Sequence, residues 1–271
     1  MNELSQTQID YFLNNGYLLM RGLFNLDEVN LMQEKIDSLK TQANELAETL
    51  SDSEIHKITH QGTQFVIQNI DEATKIYRFV WAGAAEPDLL DLSRQNKLLI
   101  PVSQLLETSQ ANHIINSVHP KFSGDGIEFA IHQDIYHRRN FDPSWENING
   151  DRSYVACITA VNPMTNENGP IMLIPGSQKQ GEIAKNQLQY QDLSKAVPLL
   201  LEPGDTACMH QYLVHYSLPN ESSTSRFTLI NGFSYPNANH SQYPGEGSGE
   251  LIDLLPIGSN SDALLHNSTE L

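Results

Sequence analysis

The sequence predicts a mainly β protein with helices gathered at its N-terminus and its strands closing into a sandwich or jelly-roll barrel. Three observations lead there. The first third carries capped segments with apolar residues at helical spacing. From about residue 111 the pattern changes to short β-branched and aromatic runs separated by turn chemistry. No linker or internal repeat divides the two parts, so residues 1–271 are expected to form one domain. Within it, 1–110 reads as a mostly helical wrap, 111–235 as the jelly-roll core, and 236–271 as a C-terminal loop and short helix.

The elements follow in order. Ser5 with Gln8 has the form of a capping box, Ile9, Phe12 and Leu13 share one face, and Gly16 is a C-terminal stop. "YLLMRG" reads as a short strand. Asn25 with Glu28 then caps a long helix whose Val29, Met32, Ile36 and Leu39 recur at helical spacing. Residues 41–61 are polar and carry the weakest pattern. "PDLLDLSRQNKLLIPVSQLLE" reads as two helices broken near Gln95, the second strained at Pro101. The strand-like runs are "NHIINSVHP", "IEFAIHQD", "SYVACITAV", "IMLIPGS", "AVPLLLEPG", "DTACMHQYLVHYS" and "RFTLINGFSY". Turn signals such as "NENGP" and "EPGD" punctuate them, and strands at this spacing argue for a sandwich or jelly roll. "NANHSQYPGEGSGE" is expected to be a surface loop.

Composition excludes several functions. Thirty-three acidic against sixteen basic side chains give a net charge of −17, the opposite of a nucleic-acid footprint. The same charge is repelled by anionic membrane surfaces. No run approaches the ~18 apolar residues of a membrane span, and "MNELSQTQIDYF" lacks the form of a signal peptide. Cys157 and Cys208 lie far apart in sequence, each in an apolar run, and read as buried free thiols. A cytoplasmic protein acting on a small molecule, with neither nucleic acid nor membrane as partner, is the expectation.

Ten histidines make any single one uninformative. His132-Gln133-Asp134 stands apart as the sole H-x-D or H-x-E in the chain. On an extended backbone, residues two apart point the same way, so this pair can aim an imidazole and a carboxylate at one point. "DTACMHQYLVHYS" offers a distant third ligand: His215 shares a strand face with Ser217, and His210 falls on the opposite face. Two histidines and one carboxylate make the facial triad of non-heme Fe(II) oxygenases, which leaves open positions for a bidentate 2-oxo acid and dioxygen. Arg226 is the sole lysine or arginine after residue 195, and it opens an apolar strand. A guanidinium turned into a barrel needs an anion. A co-substrate carboxylate would satisfy it through a forked pair. The alternatives are an exposed strand mouth or an internal partner such as Asp205.

These segments together resemble the phytanoyl-CoA dioxygenase family of Fe(II)- and 2-oxoglutarate-dependent oxygenases. "LSQTQIDYFLNNGYLLMRGLFNLDEVNLMQEKID" is similar to that family's helix-strand-helix opening, and "IHQD" to its H-x-D strand end. "NENGPIMLIPGS" is similar to its hairpin, and "EPGDTACMHQYLVHYS" with Arg226 to its closing strands. Two departures are visible: Gln178 stands where the family hairpin usually has histidine, and "SYVACITAV" lacks a tryptophan often found there. The resemblance implies a double-stranded β-helix (jelly-roll, cupin-like) core. It implies that His132, Asp134 and His215 bind Fe(II), with Arg226 and Ser217 on the distal carboxylate of 2-oxoglutarate. It also implies consumption of O2 and 2-oxoglutarate, release of succinate and CO2, and hydroxylation of an aliphatic C–H bond.

For the substrate, Phe129, Lys121, His119 and Met172 are candidate lining residues. His137, Arg138 and Arg139 follow the ligand pair at the expected barrel mouth, either capturing an anionic group of a small metabolite or forming a solvated basic turn. The rival readings are a non-catalytic jelly-roll metal-binding protein, a zinc or manganese hydrolase, and a desaturase, epoxidase or halogenase variant of the same fold. Asp134 opposes halogenation, because halide needs the position that the carboxylate takes. Arg226 has no role in the hydrolase reading.

Overall fold

The computed structural model describes residues 3–70 and 73–255. Its first part follows local signals. Helix α1 (Gln6–Asn15) starts at the Ser5/Gln8 capping box and ends where Gly16 takes the left-handed conformation, φ 82°. Strand β1 (Tyr17–Met20) leads to α2 (Leu26–Ala47), capped reciprocally by Asn25 and Glu28. Helices α3 (Pro87–Ser93) and α4 (Asn96–Leu106) break at Gln95, and α4 continues through Pro101.

Between α2 and α3 the chain departs from the helical expectation. Residues 55–80 form three antiparallel strands, β2 (Ile55–His60), β3 (Thr63–Ile70) and β4 (Ala73–Val80). The physical reason is that β2 is largely exposed and carries no apolar stripe, so only pairing with β3 and β4 makes it a strand.

The remaining strands are β5 (Gln110–Lys121), β6 (Phe129–His132), β7 (Tyr154–Ala160), β8 (Ile171–Leu173), β9 (Val197–Pro198), β10 (Thr206–His210), β11 (His215–Ser217), β12 (Arg226–Ser234) and β13 (Glu250–Asp253). Helix α5 (Asp134–Phe141) follows β6 directly. The expected single run at 205–217 is therefore two strands in different sheets. The expected C-terminal helix meets β13 at its start, and its remainder, 256–271, lies outside the described residues.

Among the described residues, nine strands form one antiparallel sheet in the order β1-β10-β7-β12-β5-β4-β3-β2, with β13 also on β5. Four form the second sheet, β6-β11-β8-β9. Together they make the double-stranded β-helix, wrapped by the N-terminal helices. The period-two alternation of strands sorts the two faces of the large sheet. On its outer face Phe227, Leu229, Phe79 and Val118 pack under Met32, Ile36 and Leu39 of α2. Val155, Cys157, Cys208 and Phe233 pack under α1 and α4. Cys157 and Cys208 are buried free thiols, as expected, and they are direct cross-strand partners with Sγ atoms 3.3 Å apart. On the inner face, Tyr154, Ala156, Ile158 and Met209 meet Leu173 of the second sheet. In the first half of β12, the same parity turns Arg226, Thr228 and Ile230 inward, into a cavity between the sheets.

Candidate active site

His132 ends β6 and His215 opens β11, and the two are Cα partners in the small sheet. Their ring centroids lie 4.1 Å apart. Gln133 stays extended (φ −116°, ψ 140°) before Asp134 opens α5. That single extended residue returns Asp134 to the His132 side. Gln133 itself points away and is fully buried; its amide donates to the Gly181 and Tyr212 carbonyls and its oxygen accepts from Ile183 N. The H-x-D pair thus works across a strand-to-helix junction rather than within one strand. One ligand atom from each of His132, Asp134 and His215 lies within 4.8 Å of the others. Asp134 Oδ1 is 3.8 Å from His132 Nε2 and 3.7 Å from His215 Nε2.

The donor chemistry fits a divalent metal. His132 Nδ1 lies 2.7 Å from the Ala130 carbonyl and His215 Nδ1 lies 2.9 Å from the Leu213 carbonyl. A carbonyl only accepts, so each Nδ1 carries the proton and each Nε2 offers a lone pair to the centre. Burial, then the neighbouring His215, lowers the His132 pKa to about 3, keeping the ring neutral. Burial opposes ionisation of Asp134, but charge interactions that include Arg138 outweigh it and hold the carboxyl below the usual carboxylate range. Two imidazoles and one carboxylate form a facial triad of the type used by Fe(II)/2-oxoglutarate oxygenases.

At the other end of the cavity, Arg226 is 2% exposed and Lys121, its partner across β5–β12, is 1% exposed. Arg226 Nη2 donates to the Gly169 carbonyl at 2.6 Å, and its Nε is buried without a partner. Gly169 is forced to be glycine there: its φ is 73°, and a Cβ would meet the Leu218 carbonyl at 2.4 Å. Lys121 Nζ donates to Ser217 Oγ at 2.8 Å and to the Leu218 carbonyl. Burial, then Arg226, lowers the Lys121 pKa to about 7. Asp205, the internal partner considered for Arg226, instead accepts from Arg21 at 2.6 Å. His210 lies outside the cluster, its ring 5.8 Å from Phe12 of α1.

The cavity between the two ends has a volume of about 260 Å³ and an apolar wall that includes Ile114, Ile158 and Ile230. Phe129 and His119 line it with rings stacked at 5.5 Å, whereas Met172 is not among the lining residues. The expected basic turn at 137–139 is part of α5, and helical geometry splits it. Arg138 is buried against Tyr154 and Tyr243, its guanidinium 5.1 and 5.2 Å from the ring centroids. His137 reaches the cavity rim with its ring 4.9 Å from that of His132. Arg139 turns outward to Glu182 at 3.0 Å, which removes it from the substrate candidates. Sequence reading missed Lys57, Gln64 and Arg78, carried to the cavity by β2, β3 and β4. The available signal was a basic residue flanked by apolar ones in "IYRFV".

The sequence model of the phytanoyl-CoA dioxygenase (PhyH) family matches residues 12–228. A probable phytanoyl-CoA dioxygenase of Caenorhabditis elegans is 24% identical over 247 residues, covering 82% of this chain and 73% of that protein. The methylphosphonate hydroxylase of Gimesia maris is 32% identical over 114 residues, 40% of each chain. Among solved structures, EctD from S. alaskensis with 2-oxoglutarate and 5-hydroxyectoine superposes with a TM-score of 0.67 at 20% identity. That match covers 91% of this chain and 82% of EctD. EctD with bound Fe gives 0.64 at 20% identity, covering 89% and 80%. With the family match covering most of the chain and all three triad residues, the chain belongs to the phytanoyl-CoA dioxygenase family.

Proposed function

We propose that the protein is an Fe(II)- and 2-oxoglutarate-dependent dioxygenase that hydroxylates an aliphatic C–H bond of a small anionic metabolite. The observation that carries this reading is one cavity holding a His-Asp-His triad at one end and, at the other, buried cations without carboxylate partners among the described residues. His132, Asp134 and His215 hold the iron. Arg226 and Ser217 receive the distal carboxylate of 2-oxoglutarate, with Lys121 beside them through its bond to Ser217. Iron with O2 and 2-oxoglutarate supplies the oxidising power for C–H hydroxylation, releasing succinate and CO2.

The chain's own part is orientation and exclusion of water. The backbone carbonyls of Ala130 and Leu213 fix both imidazoles, and the apolar wall keeps the reacting carbon in a dry space. A volume of about 260 Å³ lies below the roughly 300–1,000 Å³ of ordinary ligand pockets. The cavity must hold co-substrate and substrate together, which favours a metabolite of few carbons over an enclosed long-chain thioester. The partial match to a protein named for methylphosphonate, itself a small anion, supports the same choice.

The test is Fe(II)-dependent succinate formation from 2-oxoglutarate across small carboxylates, phosphonates, amino acids and acyl thioesters. Substrate-stimulated succinate with a hydroxylated product is the expected result. Absence of iron-dependent 2-oxoglutarate turnover with every compound would overturn the reading.

A further inference from the structure

Four of the seven arginines meet a carboxylate: Arg21 with Asp205, Arg94 with Glu250, Arg139 with Glu182 and Arg152 with Glu107. The other three, Arg78, Arg138 and Arg226, have no such partner among the described residues, and all three line the cavity. In a chain of charge −17 this is not a shortage of acids. Asp134 is the sole carboxylate among the lining residues.

Arg226 belongs to the co-substrate end. Arg78 and Arg138 form a second cationic group, one from β4 and one from α5. Arg138 is 6% exposed, and its Nε and Nη1 are buried without a hydrogen-bond partner. Arg78 Nε is in the same state. The two guanidinium groups also sense each other, since burial and then the charge of Arg138 lower the Arg78 pKa. Tyr154 and Tyr243 lie against the Arg138 guanidinium with their ring faces, and its Nε and Nη1 remain open to an acceptor. Leaving three buried donors open beside a like charge is costly unless a ligand closes them.

We infer that Arg78 and Arg138 clamp a tetrahedral PO3 dianion on the substrate, a phosphonate or phosphate monoester, with the attached carbons directed along the apolar wall toward the triad. Two cations match a dianion, and three open guanidinium nitrogens match three terminal oxygens better than the two of a carboxylate. The inference rests on the hydroxylase reading for what happens at the metal end, and it narrows the anion that reading left open.

The test is calorimetric titration of the full chain with propylphosphonate, propyl phosphate and butyrate, with and without Fe(II) and 2-oxoglutarate, under argon. At least one PO3 probe should bind tenfold or more tightly than butyrate, and the tighter of the two assigns a C–P or an ester source. Arg78→Gln and Arg138→Gln should each weaken that binding by roughly ten- to a hundredfold, and Arg78→Gln should do so while 2-oxoglutarate affinity stays unchanged. Arg78→Lys and Arg138→Lys should recover part of it, which guards against a folding artefact. Equal or tighter butyrate binding, PO3 binding indifferent to both glutamine variants, no PO3 binding, or PO3 binding abolished by Arg226→Gln alone would each overturn the clamp. Phosphonate binding without any iron-dependent succinate keeps the clamp and removes the hydroxylase reading; substrate-stimulated succinate without PO3 binding does the reverse.

Discussion

Lys121 and Arg226 are direct partners across β5 and β12, both almost wholly buried, and the nearby Asp125 acts on both only through its distant charge. Two like charges occupy adjacent inward positions because β-strand parity leaves them no other direction, and the proposed co-substrate carboxylate would complete the pair. Their geometry makes the co-substrate end the most sharply testable part of the molecule.

Replacing Arg226 with alanine should raise the 2-oxoglutarate requirement far more than the iron requirement. Loss of a buried charge pair costs about 2–5 kcal/mol, or roughly thirty-fold to several thousand-fold in affinity. Arg226→Lys should recover part of the loss, because a point charge does not reproduce the fork. Steady-state titration of 2-oxoglutarate in both variants checks this, and an unchanged requirement in the alanine variant rejects the assignment.

The affinity for 2-oxoglutarate should fall as pH rises through about 7. Burial and Arg226 bring the Lys121 pKa down to about 7 in the free protein, against the distant Asp125 and Glu128. The ammonium is charged below that value, and the bound dicarboxylate favours the charged form. Affinity is therefore greatest below pH 7 and weakens by up to about tenfold per pH unit above it, until the pKa of the complex is reached. Lys121→Met should weaken binding at low pH and flatten the profile. A wild-type profile flat from pH 6 to 9 contradicts the role.

His132→Ala, Asp134→Ala and His215→Ala should each lose iron binding, read by metal analysis after dialysis, together with 2-oxoglutarate turnover. The fold should survive, because these side chains contribute little to the three main hydrophobic clusters. Near-wild-type metal content in one variant removes that residue from the coordination sphere.

Acid should destabilise the protein from pH 6.5 downward. Burial holds the His113 pKa at about 3, against Asn231, which accepts from its ring. Burial with Arg78 and Arg226 does the same for His119. The unfolded chain binds protons at these rings near pH 6.5, whereas the folded protein refuses them until about pH 3. Stability thus drops by about 1.4 kcal/mol per pH unit for each ring across that window. Urea unfolding at successive pH values should show this slope, reduced by one ring's share in His113→Gln; an unaltered slope in that variant contradicts it.

The sequence by itself determined what short-range chemistry controls. The Ser5/Gln8 and Asn25/Glu28 boxes satisfy their own helix ends, so α1 and α2 start where the residues predict. One extended residue between His132 and Asp134 is enough to put both on one side, and the isolation of Arg226 at the head of an apolar strand singles it out as a candidate for anion binding. Tertiary structure alone decided the rest. It brought His215 opposite His132 and Cys157 against Cys208. It paired β2 to β4 into the large sheet and so delivered Lys57 and Arg78 to the cavity. It turned Arg138 inward and Arg139 outward by continuing 134–141 as a helix. The physical reason is that helix caps and strand parity are settled within a few residues. Strand pairing is settled by hydrogen bonds and packing between segments far apart in the chain, and no local pattern records which partner will be met.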